Sequence, residues 1–101
     1  MIAYTVACTF TEESVCDQWC AWMVDAHYAD LLEAGAVRAE LVRFGPLHAE
    51  SRYLFATRAA FDAYERDHAP RLRADGLAHF PLSLGLTYTR SVGDQLASLP
   101  R

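Results

Sequence analysis

The chain has 101 residues, 52% of them hydrophobic and 22% charged, with a formal net charge of −4 and nine arginines but no lysine. That length suits one domain whose single core leaves little surplus stability, so a second copy covering apolar surface is expected to help it. The balance excludes a disordered polymer and a bilayer span, and dispersed positive charge under a net negative total argues against a nucleic-acid partner.

The opening "MIAYTVACTF" alternates. Ile2, Tyr4, Val6, Cys8 and Phe10 fall on one side and Ala3, Thr5, Ala7 and Thr9 on the other, which predicts a strand with one large-apolar and one small face. It has no basic leader ahead of a long apolar run, and with Cys8, Cys16 and Cys20 an odd set lacking C-x-x-C spacing, free thiols and a cytoplasmic location are expected.

"TEES" offers Thr11 as a cap with acidic residues behind it, so a helix is predicted from about Glu12 to Ala34, closed by Gly35. Val15, Trp19, Trp22, Met23, Ala26 and Ala29 form its predicted core stripe at three- and four-residue steps. "AVRAELVRF" and "SRYLFAT" read as strands joined by the turn "GPLHAE", a hairpin. Thr57 caps a second helix that starts near Arg58, carries Phe61, Tyr64, His68 and Leu72 on one face and ends near Asp75, before Gly76. After the loop "LAHFP", the segment "LSLGLTYTRSV" alternates as a last strand. Residues 93–101 are expected to be either a frayed end or an arm exchanged between protomers.

The order βαββαβ is the split βαβ, ferredoxin-like plan of the α+β class: a four-stranded antiparallel sheet with two helices on one face. Because the helices cover one side only and the other face of the first and last strands is small, two sheets are expected to meet face to face in a homodimer.

The segments "MIAYTV", "WCAWMVDAH", "LLEAGAV" and "DHAPRLRADGLAHF", with their Trp-x-x-Trp-Met-x-x-x-His and His-Ala-Pro-x-Leu-Arg patterns, resemble an uncharacterised bacterial domain-of-unknown-function family within the dimeric α+β barrel superfamily. The resemblance runs over nearly the whole chain and implies the ferredoxin-like fold and a dimer. It does not specify an activity, because distant barrel relatives include cofactor-free monooxygenases, isomerases, haem enzymes and plain ligand binders. This chain has Tyr28 after His27, where that family tends to carry an apolar residue and then proline.

Several side chains are candidates for a site. At helical spacing His68 points toward the sheet, either as a core histidine bonded to a strand side chain or Tyr53, or as an acid/base group lining a pocket. Pro70 cannot donate to the carbonyl of Arg66 and should bend or break the helix there. On an ideal helix His27 shares an azimuth with Cys16, Cys20 and Met23, yet the seven residues from Cys20 to His27 span about 10 Å of rise, too far for one metal with ligands at about 2 Å. No metal is therefore expected, and no residue pattern calls for a cofactor, so none is predicted. Asp30 falls inside the apolar stripe and must be paired or solvated; its possible partners are His27 and an arginine such as Arg71 or Arg90. Arg71 and Arg73 follow the proline and offer either an anion contact or a solvated surface. Trp19 and Trp22 read as core, or as walls for a flat aromatic ligand; His48 and His79 read as exposed.

The leading expectation is a homodimer that binds a small organic molecule between helices and sheet, with Trp22, His27, Tyr53, Tyr64, His68 and Arg71 as ligand contacts. A cofactor-independent monooxygenase or isomerase with His68 or His27 as base, aided by Asp30, is the alternative, and an interaction module without a ligand is a third.

Overall fold

Strand β1 (Ile2–Phe10) leads into a long helical segment in the computed structural model, which describes residues 1–100. That segment comprises helix α1 (Glu13–Trp22), a π turn (Met23–His27) and helix α2 (Tyr28–Glu33). The hairpin β2 (Arg38–Arg43) and β3 (His48–Phe55) follows, then helices α3 (Arg58–Asp67) and α4 (Ala69–His79), a short 3-10 turn (Leu82–Leu84) and β4 (Leu86–Asp94). The sheet is antiparallel throughout, in the order β2-β3-β1-β4, and the fold is ferredoxin-like.

Alternation decides which residues meet the helices. Ile2, Tyr4, Val6, Cys8 and Phe10 are all buried, and register places Ala49, Ser51, Tyr53 and Phe55 of β3 on the same face. The opposite face carries Ala3, Thr5, Ala7 and Thr9 beside Thr87, Thr89, Ser91 and Gly93 of β4. Toward β2 it becomes charged, with Arg38 paired to Glu40 at 3.1 Å and Arg52 to Glu50 at 3.2 Å. No helix covers this outer face.

The first helical segment departs from an ideal helix at one place. The backbone N–H of Tyr28 donates to the carbonyl of Met23, five residues back, whereas an α-helix reaches back four. One extra residue per turn rotates everything beyond it by about 100°. Ala26 and Ala29, expected in the core stripe, are exposed, while Tyr28 and Leu31 are buried. The Tyr28 hydroxyl donates to the carbonyl of Glu40 at 3.0 Å and lies 2.7 Å from Ser51 Oγ, which is placed to donate in return. Ser51 is fully buried, so this pair satisfies polar groups that would otherwise be stranded beneath the helix.

Other boundaries follow turn chemistry. Thr57 caps α3 by accepting from the N–H of Ala60 at 3.1 Å, and Gly35 ends α2 with a φ of 117°. The expected Thr11 cap is absent: Glu12 occupies the cap position without a side-chain bond, and the Thr11 N–H instead donates to the carbonyl of Gly85 at 3.2 Å. The second helix does not stop before Gly76 but runs to His79, with Gly76 in ordinary helical conformation beside the Trp22 ring. The last strand begins at Leu86, not at Leu82. Pro81 and Gly85 bracket a 3-10 turn, and Gly85 adopts a φ of 90° where a β-carbon would lie 2.0 Å from Thr11 Oγ1. Gly93 and Asp94 remain paired in β4, and the N–H of Gln95 donates to the carbonyl of Met1 at 2.8 Å; residues 96–100 are exposed.

Tyr28→Phe strands the Glu40 carbonyl and the Ser51 hydroxyl together and should destabilise the protein by about 1–3 kcal/mol in urea denaturation; in Ser51→Ala the same change should cost less, because the Tyr28–Ser51 bond is already gone and only the Glu40 carbonyl loses its donor. Gly85→Ala combines a left-handed φ with a clash and should cost more than about 2 kcal/mol.

Candidate functional site

The helices lie over β1 and β3, and the inner face of edge strand β4 is left partly bare: Val92 remains 44% exposed. Between that strand and the helices opens a cavity of about 550 Å³. Tyr4 and Val6 of β1, Tyr53 of β3 and Leu86, Tyr88 and Arg90 of β4 form the sheet side. Trp19, Trp22, Met23 and His27 close it from the first helical segment, and Tyr64, Leu72, Arg73 and Gly76 from α3 and α4.

Trp22 ends α1, and the π turn that follows brings His27 against it. The two rings stack at 4.9 Å with an interplanar angle of 24°. The other contacts of Trp22 are His79 at 5.0 Å and Phe80 at 5.7 Å, so three rings hold the indole against α4. Trp19 is 1% exposed; its indole N–H donates to the Tyr88 hydroxyl at 3.1 Å, which fixes one corner of the wall. Tyr4 and Tyr53 stack at 5.7 Å on the floor.

Two buried side-chain nitrogens lack a hydrogen-bond partner among the described residues, His27 Nδ1 and Arg73 Nε, and both residues line this cavity. Burial lowers the pKa of His27 below its ordinary value of 6.5, against the opposing pull of Asp30 and Asp75. The ring is therefore neutral near neutral pH, and one of its nitrogens carries a free lone pair. Tyr53, Tyr64 and Tyr88 are held as phenols. Burial pushes Tyr88 up to about 12, and burial likewise raises Tyr53 and Tyr64. Arg73 is oriented by Glu65 Oε1 at 2.7 Å and by the Tyr4 hydroxyl at 3.1 Å, both facing its Nη2.

The structure brings Trp22, His27, Tyr53 and Tyr64 together on the cavity wall and leaves His68, Arg71 and Asp30 off it. His68 does not face the sheet. Pro70 breaks the helix so that His68 becomes the junction of α3 and α4, with φ −126° and ψ −37°, and Ala69 and Leu72 turn inward in its place. Its Nδ1 lies 3.3 Å from Arg71 Nη2 at the surface, and the expected bond to Tyr53 is not made. Asp30, rotated by the π turn, is half-buried and acts on His27 only through space, since His27 Nδ1 has no partner.

Tyr4 and Tyr88 are wall residues beyond those expected, although their inward strand positions were visible as alternation. A phenol pointing into a core needs either a partner or a cavity. The cysteines stay free, with Cys8 and Cys16 buried and no group of three or more metal-binding side chains among the described residues.

No protein-family model matches the chain, nor does any curated protein at the level of sequence. Solved structures do resemble it. A dimeric ferredoxin-like protein from an uncultured marine organism superposes with a TM-score of 0.74 at 10% identity, over 99% of this chain and 98% of that one. HapK from Hahella chejuensis gives 0.69 at 21% identity over 97% and 95% of the two chains. SnoaB, a cofactor-independent oxygenase from Streptomyces nogalater, gives 0.69 at 15% identity over 99% and 97%. At these identities the likeness is one of fold.

Because the unfolded chain binds a proton on His27 more readily than the folded one, stability should be full above the ordinary imidazole pKa. It should fall as pH drops from about 6.5 toward the lower folded value. Melting temperatures measured from about pH 8 to about pH 5 should show this decline in the native chain and a shallower one in His27→Gln.

Proposed function

We propose that the protein is a homodimer that binds a flat, oxygen-bearing aromatic molecule in the cavity between helices and sheet. The observation that carries this is the wall itself: a space of about 550 Å³ ringed by Tyr4, Tyr53, Tyr64, Tyr88, Trp19 and Trp22, with partnerless nitrogens on His27 and Arg73. Ligand sites have this character, mostly apolar and aromatic with a few polar groups that fix orientation. Naphthalene-sized rings fit the volume, and flat faces stack on tryptophan and tyrosine.

Dimerisation is supported by the bare outer face, whose Ala, Thr and Ser side chains leave room for a second sheet about 10 Å away. Two structural neighbours are described as dimeric ferredoxin-like proteins. Residues 95–100, with Leu96 94% and Leu99 77% exposed, suit an arm laid on the partner. Three free thiols accord with a reducing, cytoplasmic setting, and no helix is long and apolar enough to cross a membrane.

A second reading, cofactor-independent oxygenation or isomerisation, is favoured by His27. It is the one member of the trio His27, His68 and Asp30 on the cavity wall, and it is neutral. Its lone pair would take a proton from an activated aromatic C–H or O–H, leaving a delocalised anion. The imidazolium so formed is poorly solvated, which favours returning the proton to the product. In an isomerase the proton returns at another carbon; in an oxygenase molecular oxygen takes up the electrons of the anion. SnoaB, of the same fold, is described as a cofactor-independent oxygenase.

Native mass spectrometry of freshly purified protein should show a dimer, with added mass that disappears under denaturing conditions. A monomer, or a dimer that neither carries nor takes up an aromatic ligand, would favour the interaction module. If the chain turns over a ligand so identified, His27→Gln should lower the rate by about a hundredfold or more while binding persists; an unchanged rate would remove His27 as the base.

A further inference from the structure

We propose that one part of this cavity is a carboxylate subsite, built from the guanidinium groups of Arg73 and Arg90 with the phenols of Tyr4 and Tyr64; the inference rests on the cavity being a ligand site. The first observation is an inversion of charge. The chain has 13 acidic residues and a net charge of −4, yet the cavity lining contains two arginines and no aspartate or glutamate.

The second is the state of those arginines. Arg73 is held by Glu65 and Tyr4 through a single nitrogen, Nη2, and its Nε–H is buried with no acceptor. A buried donor left without an acceptor is costly, and Nη1 of the same guanidinium makes no hydrogen bond among the described residues, which leaves a donor for an anion in the cavity. Arg90 lies with its guanidinium carbon 5.3 Å from the Tyr88 ring centre and makes no ion pair among the described residues.

The third is convergence. Arg90 sits opposite Val6 on β1, two residues from Tyr4, and the Tyr4 and Tyr64 rings are 6.0 Å apart. Both arginines also ease ionisation of the Tyr64 phenol against the effect of burial. Two guanidinium charges less the one carboxylate of Glu65 leave a formal +1, suited to a monoanion. The planar fork of arginine matches a carboxylate, and Trp22, Met23, Leu72 and Leu86 surround the space for an apolar body. The ligand class assigned is thus a flat aromatic monocarboxylic acid.

Isothermal titration calorimetry on the full chain with naphthoate and its neutral carboxamide, naphthamide, tests this. Naphthoate should bind about tenfold or more tightly than naphthamide at low salt. Arg90→Gln should erase most of that preference without weakening naphthamide, and Arg73→Gln should do the same. Since Arg73 also ties Tyr4 to Glu65, the exposed Arg90 provides the variant expected to keep the fold. Equal affinity for the two probes would overturn the carboxylate subsite and leave the aromatic cavity standing. A naphthoate preference that survives in both variants would also overturn it. Failure of both probes to bind would overturn the subsite together with the cavity reading beneath it.

Discussion

The hydrogen bond from the Tyr28 N–H to the Met23 carbonyl spans five residues rather than four, and the arrangement of the whole first helical segment depends on that added residue. Before it, Val15, Cys16, Trp19 and Met23 face the sheet; after it, Tyr28 and Leu31 do. Between the two groups, His27 is directed against Trp22 at the cavity wall. A π turn loses helical hydrogen-bond geometry, so something must hold it. Tyr28 does, by reaching beneath the helix to Ser51 and the Glu40 backbone. Polar satisfaction in the core and the position of a buried imidazole are thus two results of one backbone insertion.

The cavity has a second cause in the breadth of the sheet. One layer of helices cannot cover four twisted strands completely, and the uncovered strip falls on β4, where Tyr88 is half-buried and Arg90 is exposed. Aromatic side chains from three strands and both helical segments roof and floor the gap without filling it. Charge is then segregated: Arg73 and Arg90 line the cavity, and no aspartate or glutamate does. The wall is apolar enough to keep an imidazole neutral and still carries donors for an acidic group.

Much of the fold was legible because it rests on local rules. Alternation exposed the faces of β1, Thr57 and Gly35 marked helix ends, and Pro70 marked the break between α3 and α4. The site was less legible. A single-residue insertion has no signature in a 100° projection when Ala26 and Ala29, small and neutral, stand where either phase would accept them. His68 was projected across a break that Pro70 itself announced, so a phase taken from Phe61 and Tyr64 could not reach it. Leu82 and Leu84 alternate like a strand, but the extended run cannot start until Gly85 has turned past Thr11, a contact between residues 74 positions apart in sequence. Trp22 and Tyr64 lay on faces that periodicity turned inward, whereas no phase placed His27 and Tyr53, although both are expected ligand contacts; Tyr4 and Tyr88 needed the three-dimensional gap to give their inward phenols a meaning.

The claim that a flat ligand lodges beside His27 is tested most directly by an isotope-edited nuclear Overhauser spectrum of the protein with naphthoate. Contacts from the naphthalene protons to the Trp22 indole, the Met23 methyl and the His27 ring are the predicted result. Contacts confined instead to Thr5 and Leu54, which line a smaller cavity of about 300 Å³ on the outer face of the sheet, would contradict the account.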